Sequence, residues 1–215
     1  MDAYAATVAF RPLDDGEMER FLDYDVPDDD PRVLPGGPGA LADPAASYRD
    51  RVASGQYRPG WVWVAERAGD VVGRAAWWGA PDDVRPWSLD WLDQGTGADA
   101  VDIGAGLVAA GLKRVRRIDG LPPELHLFLP SDWREDPRAR AAGERRISAA
   151  VAGGFRPFLE RFGYRWSRAD GLPPSSGRLT FRQAPDDAEV LEVLERALVD
   201  TLDGYSLHDI ERYGL

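Results

Sequence analysis

The segment Trp61 to Trp78 limits the possible folds more than any other part of this chain. Trp61-Val62-Trp63-Val64-Ala65-Glu66 alternates aromatic and β-branched residues, and Val71-Val72-Gly73-Arg74-Ala75-Ala76-Trp77-Trp78 follows after Arg67-Ala68-Gly69-Asp70. Such residues suit a pleated, half-buried surface, and the Gly69-Asp70 pair supplies turn chemistry. The segment therefore predicts a β-hairpin, and a chain built round a hairpin this apolar must cover it with other elements.

The flanking patterns predict those elements. Ala6 to Arg11 reads as a strand, and Asp14 or Asp15 caps a helix from Glu17 to Leu22. Asp25 to Pro44 is a connection rich in aspartate, proline and glycine, long enough to be either a surface loop or the cover of a site. A short helix from Ala45 to Ser54 leads into the hairpin. Beyond it come a strand at Pro86 to Leu92, the turn Asp93-Gln94-Gly95-Thr96-Gly97, and a helix over Ala98 to Ile118. That helix carries Val101, Leu107, Val108, Leu112, Val115 and Ile118 at helical spacing. Leu125 to Leu129 is a strand stopped by Pro130, and a helix runs from Arg138 to Arg161, broken or kinked near Gly153-Gly154 and Pro157. Tyr164 to Arg168 and Leu179 to Arg182 read as further strands. Asp186 or Asp187 then caps a helix with Val190, Leu191, Val193, Leu194, Leu198 and Leu202 on its buried side.

Composition removes whole classes of function. With no cysteine there is no disulfide, thiolate metal site or cysteine nucleophile, and His126 and His208 are too few for a multi-histidine metal centre. A net charge of −11 opposes nucleic-acid binding, which needs a basic face. It also requires that any anionic ligand be gathered by local donors. No apolar run approaches the roughly 18 residues of a membrane span, and the first residues lack the pattern of a secretion signal. The expectation is a cytoplasmic protein with neither membrane nor nucleic acid among its partners.

The order of elements, together with Gln94-Gly95-Thr96-Gly97 at the helix entrance and Gly163-Tyr164 after the later helix, resembles the Gcn5-related N-acetyltransferase (GNAT) family. The resemblance covers about residues 6 to 183. It implies an α/β (α+β) fold of the acyl-CoA N-acyltransferase type, a mixed, mainly antiparallel sheet flanked by helices on both faces. It also implies acetyl-CoA as cofactor and a primary amine of a small molecule or peptide as acceptor. In such proteins the backbone N–H groups of the turn grip the pyrophosphate, in a cleft between two diverging strands. Carried over, this makes Leu92, Gln94, Gly95 and Gly97 cofactor-binding. A second register, Ile103-Gly104-Ala105-Gly106-Leu107-Val108, adds Gly104.

The sequence also departs from the pattern. Asp99 and Asp102 put carboxylates where phosphate belongs, and Leu159 stands where many members have a proton-donating tyrosine. A direct attack by the amine needs a base, and Asp90, Asp93 and His126 are the candidates. Each also has an ordinary structural reading: Asp90 alternating outward on its strand, Asp93 capping a turn, His126 bonded within the core.

Val8-Ala9-Phe10-Arg11-Pro12-Leu13-Asp14-Asp15 is echoed by Leu179-Thr180-Phe181-Arg182-Gln183-Ala184-Pro185-Asp186-Asp187. The expected division is therefore 1–177 as the acetyltransferase-like domain. Residues 178–215 follow as a closing strand and helix, or as the opening of a second GNAT repeat. Three readings follow: an acetyl-CoA-dependent N-acetyltransferase, a degenerate non-catalytic GNAT domain serving as scaffold or partner-binding half of a tandem protein, and an unrelated α/β binding module. A homodimer or an intramolecular second domain is the expected protein partner.

Overall fold

The computed structural model describes residues 7–27, 43–115, 123–164, 166–172, 174, 177–178, 180, 182–183 and 186–214. Most of the Asp25–Pro44 connection, Ala6, and the expected helix end at Arg116, Arg117 and Ile118 lie outside these residues. The chain forms two compact units, Met1–Pro157 and Phe158–Leu215. Residues 158–177, read from the sequence with the first domain, thus group with the second unit.

The first unit is a mixed, mostly antiparallel five-stranded sheet covered on both faces. Its strands are β1 (Ala9–Pro12), β2 (Val62–Arg67), β3 (Asp70–Trp78), β4 (Ser88–Asp93) and β5 (Glu124–Leu125), ordered β1-β2-β3-β4-β5. Among the described strands only β4 and β5 run parallel. The expected hairpin forms, but its turn is Ala68-Gly69, with φ of 52° and 97°, and Asp70 already belongs to β3. Two successive positive φ values match the right-handed twist of paired strands, and the glycine tolerates its value without strain.

Alternation along the strands sorts the core into two layers. Val62 and Val64 of β2, with Ala76 and Trp91, pack on Leu13, Met18, Phe21, Tyr48 and Tyr57, from the 3-10 helix Asp15–Asp23 and helix α1 (Pro44–Ala53) and their flanks. Trp63, Ala65, Ala75, Trp77, Leu89 and Leu92 face the other way, onto helix α2 (Ala100–Arg114) and helix α3 (Pro137–Gly153). Helix α3 meets Asp136 at its start, whose carboxylate accepts from the Arg138 and Ala139 amides. It stops at Gly154 in the left-handed region, at the break expected near Gly153-Gly154, and does not resume to Arg161.

One irregularity sets the geometry of the rest. Ala76 pairs with Trp91 while its neighbour Trp77 pairs with Leu89, so β4 carries an extra residue, Asp90. A bulge bends its strand. The β4–β5 ladder holds only Ser88↔Glu124 and Leu89↔Leu125, ending just before that bulge. The strand expected over Leu125–Leu129 is observed as Glu124–Leu125, its ladder ending where the bulge interrupts β4.

In the second unit, helix α4 (Asp187–Leu198) is capped by Asp186 as expected, and an unforeseen helix α5 (Gly204–Tyr213) is capped by Asp203. Val190, Leu191, Val193 and Leu194 are exposed, contrary to the buried face the periodicity implied. The described residues of the two expected strands, at 164–168 and 179–182, form no ladder. Tyr164 is 92% exposed, so its aromatic pattern has no sheet to join.

Helix α2 approaches the sheet, and helix α3 approaches α2, closely through small residues. A Cβ on Gly111 would lie 2.5 Å from Trp77 Nε1, and one on Gly153 would lie 2.5 Å from Val108 Cβ. Alanine normally improves a helix interior by about 0.5–1 kcal/mol over glycine. At Gly111 the sign reverses: Gly111→Ala is expected to lower stability by about 1–3 kcal/mol through overpacking, read from urea unfolding followed by tryptophan fluorescence.

Candidate functional site

The chemistry concentrates at the outer half of β4. Asp93 ends the strand, buried, with Arg74 of β3 directly across the ladder. Arg74 Nε donates to Asp93 Oδ2 at 2.8 Å, and Arg146 Nη2 of α3 donates to Oδ1 at 3.2 Å. Arg146 Nε also donates to the Leu92 carbonyl at 3.0 Å, on the edge that β5 leaves vacant. Burial pushes the Asp93 carboxyl up, but the two guanidiniums outweigh it and hold the group below the usual carboxylate range. With both oxygens engaged and its proton affinity lowered, Asp93 acts as a clamp, and a carboxylate so held is a poor proton acceptor.

Asp90 forms a second cluster on the α1 face. Its Oδ2 accepts from Arg51 Nη1 at 3.0 Å and from the Tyr57 hydroxyl at 3.3 Å, and its Oδ1 accepts from Ser88 Oγ at 2.8 Å. Trp91 Nε1 donates to the same Tyr57 hydroxyl at 2.8 Å. Burial raises the Asp90 carboxyl; Ser88, Arg51, Tyr57 and the more distant charge of His126 oppose that rise without cancelling it. Burial likewise pushes the Tyr57 phenol well up. His126 lies just past β5, half-exposed, with Nε2 2.7 Å from Glu124 Oε2. The structure thus sets Asp90 among Arg51, Tyr57 and Ser88, Asp93 between Arg74 and Arg146, and His126 beside Glu124.

The turn after β4 is closed by neighbouring side chains. Gly95 adopts φ of 75°, and its amide donates to the Tyr24 hydroxyl at 2.7 Å. Gln94 is buried, and among the described residues neither its amide nitrogen nor its oxygen has a hydrogen-bond partner. It packs on Gly104, where an added Cβ would lie 2.7 Å from Ala149 Cβ of α3. Gly97 is exposed beside Asp99, which pairs with Arg67, and Asp102 adds a second carboxylate to the first turn of α2. A helix N-terminus favours anions, but two carboxylates there oppose a pyrophosphate. The residues present do not fit the phosphates of acetyl-CoA: the Gly95 amide is already spent on Tyr24, Asp102 adds a carboxylate to the first turn, and α3 packs against Gly104 of α2.

Sequence reasoning missed Arg74, Arg146 and Tyr24. The signal for Arg74 was available, as a lone cation inside the apolar run Val71 to Trp78; Arg146 sits in an arginine-rich helix where nothing local distinguishes it. Hollows lie on either side of this region. One, of about 370 Å³, is lined by Gly60, Trp61, Arg85 and Arg114 among others, and neither aspartate borders it. The other, of about 110 Å³, adjoins Arg74 and Trp91. Among the described residues no group of acidic and histidine side chains is arranged to hold a metal ion, and no helix is long and apolar enough to cross a membrane. Compared with family models, curated proteins and solved structures, the chain finds no match in any of the three.

Asp93→Asn would leave Arg74 and Arg146 buried against a neutral amide. The expected loss of stability at neutral pH is about 3–5 kcal/mol, measured by urea unfolding. Because the folded-state proton affinity is lowered, the Asp93 contribution is present above the unfolded carboxylate pKa of about 3.9 and disappears as pH falls through its lower folded value. Acid unfolding of the wild type should therefore show a stability loss at low pH that Asp93→Asn lacks.

Proposed function

We propose that the first unit is a GNAT-type acyltransferase domain whose cofactor entrance has become a structural joint, and that it serves as the non-catalytic, binding half of an amine-acetylating system. One observation carries this reading: the turn that the resemblance assigns to acetyl-CoA spends its Gly95 amide on Tyr24 and sits beside two carboxylates. Arg146 and Ala149 of α3 occupy the space beside it. The mixed, mainly antiparallel sheet, the helical layers on both faces and the parting of β4 from β5 support the fold resemblance.

A second reading, an acetyl-CoA-dependent N-acetyltransferase acting on a primary amine, draws support from the same parting of strands and from the left-handed Gly95 before α2. In it Asp90 is the better base, since burial raises its proton affinity, whereas Asp93 is held low.

Calorimetric titration of the whole chain with acetyl-CoA separates the two. The first reading expects no binding heat, and Tyr24→Phe leaves the titration flat. Binding near the micromolar range, about −8 kcal/mol, that tightens in Tyr24→Phe as the Gly95 amide is released, would establish the second instead.

A further inference from the structure

The hollow beside Arg74 has the composition of a ligand site. Arg74 is only 3% exposed, yet it borders this space together with Leu22, Tyr24, Pro44, Ala45 and Trp91. Its Nε is spent on Asp93 and its Nη1 donates to the Phe21 carbonyl at 2.9 Å. Among the described residues the remaining nitrogen, Nη2, has no hydrogen-bond partner, and it is not sealed off from solvent. A buried guanidinium ordinarily satisfies its donors.

The walls fit a particular occupant. Phe21, Tyr24 and Trp91 surround the guanidinium, with ring centres 4.6, 5.0 and 5.2 Å from its central carbon. These rings stabilise the cation without using its in-plane N–H groups, leaving them for a planar acceptor. At roughly 30 Å³ per water, 110 Å³ holds the equivalent of three or four waters, about the size of a carboxylate on a short apolar stem. Leu22, Pro44 and Ala45 offer apolar surface to that stem. The nearby carboxylates are committed elsewhere: Asp93 to the two arginines, and Asp43 to the Ala45 and Ala46 amides at the start of α1.

We propose that this hollow binds the carboxylate of a small organic acid, or of a molecule ending in such a group, with Arg74 Nη2 as donor and Tyr24 and Trp91 as walls. The hollow lies on the α1 face and uses no residue of the Gln94–Gly97 turn; it shares Tyr24 with that turn, so its test leaves Tyr24 in place and a failure here is distinguishable from a failure of the acetyl-CoA titration.

Nuclear magnetic resonance of the whole arginine-labelled chain tests it, with sodium acetate and sodium butyrate as probes at constant ionic strength. The expected result is a saturable shift of the Arg74 Nε–H resonance and of the Trp91 indole N–H, with uncharged acetamide silent. Ala45→Leu puts a larger side chain into the hollow while leaving Arg74 and Asp93 unsubstituted. It should weaken butyrate binding by at least about tenfold while leaving thermal unfolding cooperative. A linear, unsaturable response to both acids, an equal response to acetamide, or unchanged affinity in a folded Ala45→Leu would each overturn the proposal.

Discussion

A single buried carboxylate connects the layers of the first unit. Asp93 stands at the end of β4, where Arg74 approaches from the face covered by the 3-10 helix and Arg146 reaches it from α3 on the other side. Moving these charges out of water costs several kcal/mol per ion, a cost offset only where geometry supplies nearly every hydrogen bond. Here Arg74 adds the Phe21 carbonyl and three aromatic rings, and Arg146 adds the Leu92 carbonyl. The cluster is thus more a device for register and docking than a source of net stability. It fixes which part of α3 lies against the end of β4.

That docking follows from the bulge at Asp90. Past Leu89, no strand among the described residues pairs with the outer edge of β4, and an unpaired edge carbonyl needs a donor. In a protein that opens its sheet to a ligand, such a gap is an entrance. Here a guanidinium fills it, Gly104 and Ala149 come into contact, and the glycine turn is secured by Tyr24. The strand geometry that would admit a cofactor and the side chains that close it are carried by the same few residues.

The opposite face has the reverse character. Aromatic side chains from the 3-10 helix and β4 enclose Arg74 without exhausting its donors, while Asp90, Tyr57, Arg51 and Ser88 satisfy one another below α1. Chemistry in this unit therefore lies on the α1 side of the sheet. In the second unit, α4 and α5 carry well-capped starts, and their apolar side chains Val190, Leu191, Val193, Leu194 and Leu207 are exposed, so local helix signals are met there without deep burial of those side chains.

Local signals decided everything that neighbours in the chain can decide. Alternating aromatic and β-branched residues determined the hairpin, and Asp136, Asp186 and Gly154 determined where helices begin or end, because caps and turns act within a few residues. Position in space decided the rest. Arg74 is 72 residues from Arg146, yet both meet Asp93; Tyr24 reaches Gly95 across 71 residues; and the bulge at Asp90 is a mismatch between two strands rather than a property of either. The glycines and aspartates around residues 93 to 104 read alike whether a helix entrance is open or closed, since the side chains that close it come from elements distant in sequence.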